Sequence, residues 1–140
     1  MSVLVFIETK GKISKAAKEA VTYGSKIGAT TVVTFGDADA AVLASVGDNG
    51  ANKVLVCRSL SEGNDQQLTK LIAAAANDCG ADVIVVSQDQ LGKAIAPRVA
   101  ANLEAGHVSG AIALPDTSNG FVVKTNVFSG KAFANVSVNS

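Results

Sequence analysis

The chain has 140 residues, twelve Lys and Arg against twelve Asp and Glu, and 48% hydrophobic residues. That length suits one domain with a sizeable core, and that composition excludes a disordered chain. A formal net charge of zero, with 4% aromatics and no Trp, argues against a nucleic-acid partner, and no apolar run reaches the roughly 20 residues that would span a bilayer.

Residues 3–7 form a continuous apolar run, the pattern of a strand covered on both faces. After Lys10-Gly11-Lys12, small or apolar residues at Ile13, Ala16, Ala17, Ala20, Gly24 and Ile27 keep helical spacing. Ser14 is placed to cap that helix, and Gly28 stands just past its end. Residues 30–35 read as the next strand, 38–46 as a short helix closed by Gly47 or Gly50, and 53–57 as a third strand. Asn64 or Asp65 then caps a longer helix with a stripe of Leu68, Leu71, Ile72, Ala75 and Cys79, and Gly80 stops it. Residues 82–87 are strand four, followed by a helix to about Leu103 and a fifth strand over 108–114. A turn over 115–120 leads to two tail strands around Ser129-Gly130.

Strands alternating with helices predict an α/β fold: a Rossmann-like three-layer sandwich with a mostly parallel sheet, the tail adding C-terminal antiparallel edge strands. Met1 is followed almost at once by the first strand, which leaves no room for a signal or transit peptide. Cys57 and Cys79 show no CxxC pattern and read as buried, reduced thiols, so a bacterial-type cytoplasm is expected.

Sheets of this kind bind ligands beyond the carboxyl ends of their strands. The loops in question are 8–12, 36–39, 58–64 and 87–93, and none carries a recognised phosphate cradle. The first reads ETKGKIS, without GxGxxG. A P-loop needs Gly five residues before Gly-Lys and then Ser or Thr. Gly92-Lys93 offers Ser87 and Ala94, and Gly130-Lys131 offers Thr125 and Ala132. No GxSxG elbow supplies a nucleophile. His107, the single histidine, lacks partners at zinc or Cys-His spacing. Glu8, Asp37, Asp39 and Asp89 fall at strand ends where a ribose or metal could sit, and equally where caps and turn-formers belong. Lacking a credible nucleophile or base, the chain is not expected to be an enzyme.

The most informative stretch is VVSQDQLGKAIAPRVAANLEAG, residues 85–106. Proline suits the first turn of a helix, so Pro97 predicts that the helix proper begins near 94–96 or kinks there. Gly92 lets the chain turn tightly out of strand four. Lys93 and Arg98 would then stand near a helix N-terminus, the unfavourable end for cations. Two readings stay open: two solvated charges, or an anion site for a phosphate or for a partner's carboxylate.

Four pieces in register resemble the N-terminal domain of the electron transfer flavoprotein alpha subunit. They are QLGKAIAPRVAANLEAGHVSGAIAL (90–114), VLVFIETKGKIS (3–14), NGANKVLV (49–56) and FSGKAFANV (128–136). The chain departs from the family pattern at Lys124 or Thr125, where an Arg is frequent, and near Gly110, where an Asp is common. The resemblance implies an adenine nucleotide alpha hydrolase-like fold, with residues 1–140 as that single domain. It implies a scaffold that packs on the beta subunit of a heterodimer. FAD is then bound mainly by a C-terminal domain absent from this chain, and no cofactor-binding residue is expected here. The full complex carries electrons from acyl-CoA and other dehydrogenases, in fatty acid β-oxidation, to a quinone oxidoreductase of the respiratory chain. Gly92, Lys93, Pro97 and Arg98 become interface residues or an anion site, with no catalytic or metal-binding residue and no nucleic-acid or membrane contact expected. The alternative is a stand-alone nucleotide-binding module resembling universal stress proteins. That reading predicts a Gly-rich stretch between strand four and helix four, where SQDQLGKAIAP has one Gly.

Overall fold

The computed structural model describes residues 1–8, 13–36, 40–58, 64–87, 90–109, 111, 113–118, 120–127 and 132–138. The first strand organises them. Side chains alternate across a strand, so an unbroken apolar run must be covered twice. In β1 (Ser2–Phe6), Val3 and Val5 point to one face. There they meet Ala17, Ala20 and Val21 of α1 (Lys15–Ser25) and Val46 of α2 (Ala40–Gly47). Leu4 and Phe6 point to the other face, against Leu68, Ile72, Ala75 and Ala76 of α3 (Asp65–Cys79) and Ile95 and Val99 of α4 (Gln90–Asn102). Val3, Leu4 and Val5 are fully buried.

β1 is also central in hydrogen bonding. It pairs in parallel with β2 (Ala29–Phe35) on one side and β4 (Val83–Val86) on the other, with Val5 opposite both Val32 and Val85. β3 (Lys53–Cys57) lies outside β2, giving the parallel order β3-β2-β1-β4. The fold is therefore the Rossmann-like three-layer α/β sandwich expected from the sequence. The Phe6 and Phe35 rings stack on one face, 6.3 Å between centroids and 4° from parallel.

Two polar clamps set the strand register at the amino ends. Asp82, just before β4, accepts the Ser2 N–H at Oδ2 (3.0 Å) and donates its own N–H to the Ser2 carbonyl (2.8 Å). Asn52, just before β3, does the same with Thr30: Oδ1 accepts the Thr30 N–H (3.1 Å) and the Asn52 N–H donates to the Thr30 carbonyl (2.8 Å). The reciprocal pairs tie the residues leading into β4 and β3 to the amino ends of β1 and β2.

The helix boundaries follow their caps. Ser14 Oγ accepts the Ala17 N–H at 3.1 Å. Asn64 is the cap of α3: its Oδ1 accepts the Gln67 N–H (2.9 Å), while Gln67 Oε1 accepts the Asn64 N–H (3.2 Å), a capping box. Gly80 ends α3 at φ 62°, a left-handed conformation that glycine adopts without a Cβ penalty.

Three expectations change. Residues 108–114 do not form a strand of the sheet: among the described residues, Ala111 makes an isolated antiparallel bridge to Thr125. One face of that segment offers only Ser109, Ala111 and Ala113, which is little apolar area to hold it on β4, and Leu114 is exposed. The tail strands β5 (Val122–Val127) and β6 (Ala132–Ser137) are antiparallel as expected and make a two-stranded sheet of their own. Finally, Cys57 and Cys79 are not joined in a disulfide and are half-buried, at the edge strand β3 and the last residue of α3.

Removing the α3 cap checks this account: Asn64→Ala should destabilise the chain by about 1 kcal/mol in chemical denaturation. The α1 residue Tyr23 gives a second check. Its phenol donates to the Ala113 carbonyl (2.8 Å), and burial raises its pKa above the ordinary 10.0. A raised folded-state pKa means the neutral form is favoured by folding, so its contribution is complete below pH 10 and is lost as pH rises through the folded value. The stability difference between the native chain and Tyr23→Phe should be constant up to about pH 9 and drift above it.

Candidate functional site

In a sheet ordered β3-β2-β1-β4, successive connections leave β1 in opposite directions, and the crevice lies at the carboxyl ends of β1 and β4. Its described lining comes from Ile7 and the exposed Glu8 after β1, Ser14 at the head of α1, and Ser87 with the start of α4 after β4. Lys10, Gly11, Lys12, Asp37, Asp39 and Asp89, together with Gly130-Lys131, lie outside the described residues.

α4 begins at Gln90, not near 94–96. Gly92 is thus the third helical residue and is buried. A Cβ on it would run into the Ser87 carbonyl group and come within 3.0 Å of Val86 Cγ1. The glycine therefore lets the first turn of α4 press directly on the end of β4. The space beside it is filled by this chain's own backbone.

Pro97 sits inside the helix as its eighth residue, so of the two expectations, a start near 94–96 or a kink there, the start is corrected. Proline brings no N–H, so the Lys93 carbonyl four residues earlier loses its helical donor. The cost is tolerable because Pro97 faces solvent while Ile95 and Val99 carry the packing. Lys93 occupies the first turn and is exposed, as expected of a residue at the helix start. Arg98, the ninth residue, is not at the N-terminus. Five residues of α-helix separate the two cations by about 140° around the axis and about 7.5 Å along it. They stand at opposite margins of an exposed strip through Ala94, Pro97 and Ala101. Such an arrangement spreads the two charges along the helix instead of pairing them at one point. It can frame a contact with a larger surface.

His107 is exposed beyond α4. Among the described residues, no three His, Cys, Asp or Glu side chains gather as a metal site. A shallow apolar groove beside β3, lined by Leu55, Cys57, Leu71 and Ala75 with Asp78 on its rim, lies at the opposite edge of the sheet. Sequence reasoning missed the role of Gly92 as a contact point for Ser87. The signal was a glycine six residues after a strand, inside rather than before the next helix.

The arrangement defines a doubly wound α/β domain whose helix after β4 is pressed onto the strand end. A family model described as electron transfer flavoprotein domain matches residues 3–140, and the chain belongs to that family. A search of curated proteins gives no match. The family consists of electron carriers rather than enzymes. No described helix is long and apolar enough to cross a membrane.

Two substitutions test the geometry. Gly92→Ala should destabilise the chain by about 1–3 kcal/mol, because the clash is with backbone that cannot swing aside. Pro97→Ala restores the donor to the Lys93 carbonyl and should raise stability by about 1 kcal/mol or more, read as a shift in denaturation midpoint at unchanged slope.

Proposed function

We propose that this chain is the N-terminal scaffold and interface domain of an electron transfer flavoprotein alpha subunit. In this reading it packs against a beta subunit in an FAD-containing heterodimer. The complex accepts electrons from acyl-CoA and other dehydrogenases and delivers them to a quinone oxidoreductase. The FAD is held elsewhere in the assembly, and this domain serves to position the parts around it.

The observation that carries the reading is the exposed strip of α4. Lys93 and Arg98 flank it without converging, and Pro97 occupies its middle at a cost in helical hydrogen bonding. A partner surface bearing carboxylates suits two separated cations better than a phosphate does. The fit of the crevice to a cofactor points the same way. A glycine that could let a pyrophosphate approach the backbone here accommodates the Ser87 carbonyl instead.

Reversing both charges in Lys93→Glu/Arg98→Glu, with the beta subunit co-expressed, should weaken association at least about tenfold and lower the flavin carried by the purified complex. Unchanged assembly and flavin content, together with loss of AMP binding by the isolated chain, would replace the interface with a nucleotide site.

A further inference from the structure

The longest helix, α3, turns one side into the core and another to solvent. Leu68, Ile72, Ala75 and Ala76 join the apolar cluster beneath it, and Thr69 and Ala73 are buried beside them. On the outward side Lys70, Ala74 and Asp78 are all exposed. Their spacing of four residues sets them in one row along the helix. The row has a cation at one end, an anion at the other and a single methyl group between them.

The row borders the apolar groove at the β3 edge. Leu71, Ala74 and Ala75 form the α3 wall, Leu55 and Cys57 of β3 form the other, and Asp78 stands on the rim. Such a face selects its occupant by charge pattern as well as by apolar fit. The occupant must bring an anion opposite Lys70 and a cation opposite Asp78, about 12 Å apart along the helix, with a small residue between them. Run antiparallel, α3 itself has that pattern. About a twofold axis at Ala74, residues equally far before and after Ala74 meet across the two copies. Lys70 then faces Asp78 of the second copy, and Asp78 faces its Lys70. The contact is isologous, so each charge pair forms twice. Ala74 at the crossing lets the helices approach closely, and the same symmetry brings the two grooves side by side. A formal net charge of zero sets no long-range repulsion against the pairing.

We propose that the outward row of α3 and the groove beside it form a docking face for a second copy of this chain, the two α3 helices packing antiparallel. The face is distinct from the α4 strip, so the pairing stands whether or not that strip meets a beta subunit. One helix row and a shallow groove make a small contact, and the association is correspondingly weak.

Sedimentation of the full 140-residue chain at rising concentration tests this. Between about 10 μM and about 1 mM the average mass should climb from the 14.1 kDa of one copy toward twice that value. Lys70→Asp and Asp78→Lys each set like charges opposite one another twice, and each should weaken self-association at least about fivefold. Both positions are exposed, so loss of the fold does not account for the effect. The double variant Lys70→Asp/Asp78→Lys restores both pairs with the charges exchanged, and should recover the association of the native chain. A native chain that stays monomeric to about 1 mM would overturn the proposal. So would single variants that associate as the native chain does, or a double variant no tighter than the single ones. A monomeric native chain whose binding to a co-expressed beta subunit is lost in Lys70→Asp would assign the face to that subunit instead.

Discussion

The constraint on which the structure depends is the complete burial of β1. Its faces belong to two different apolar clusters and both its edges are hydrogen-bonded in parallel ladders. Because consecutive side chains alternate, one five-residue strand contributes to both layers of helices. Neither layer can form its core without it. The order β3-β2-β1-β4 follows from having one strand that tolerates no solvent, with the half-buried β3 and β4 displaced to the edges. That order in turn places the crevice beyond β1 and β4, so the same burial fixes where a site can lie.

The polar residues that matter most to the sheet serve this strand indirectly. Asp82 and Asn52 each exchange two hydrogen bonds with the strand beside them, at the amino ends. A slip of one residue would turn the inward set of an edge strand to the opposite face. Edge strands with half-buried Val and Leu are the ones where such a slip costs least. The clamps therefore act where apolar packing specifies register least. The buried Thr30 fits the same logic, its hydroxyl donating to the Gly28 carbonyl at 3.0 Å.

Much of this was legible in the sequence, wherever a local signal and a tertiary demand agreed. The uninterrupted run of β1, the Ser14 and Asn64 caps and the Gly80 stop all belong to that class. What could not be read is what depends on a distant neighbour. Residues 108–114 carry strand-forming side chains, but a strand needs an edge to join. The Ser109, Ala111 and Ala113 face provides too little to bury there, and the segment bridges to Thr125 instead. Pro97 misled for a related reason. Its preference for a first turn is a statement about hydrogen bonds, and a solvent-facing position tolerates a missing one so long as Ile95 and Val99 supply the packing. The geometry of the candidate residues on α4 was not legible either. Reading Lys93 and Arg98 as neighbours at one helix end assumed a start that the structure places at Gln90.

That shift of four residues or more changes the chemistry available to α4. With a start near Pro97, the cations would lie beside free N–H groups and face one anion together. With a start at Gln90, Gly92 is turned inward against Ser87, and the cations look outward from two sides of a strip. A glycine in the first turn of a helix that follows a strand can serve a phosphate or it can serve close packing, and the same missing Cβ cannot do both. Here it serves packing, which draws the first turn of α4 tightly onto the end of β4 and leaves the strip facing outward. A rigid helix face with separated charges loses little freedom on meeting a partner. The inward packing of Gly92 and the outward exposure of the strip are thus two results of one contact.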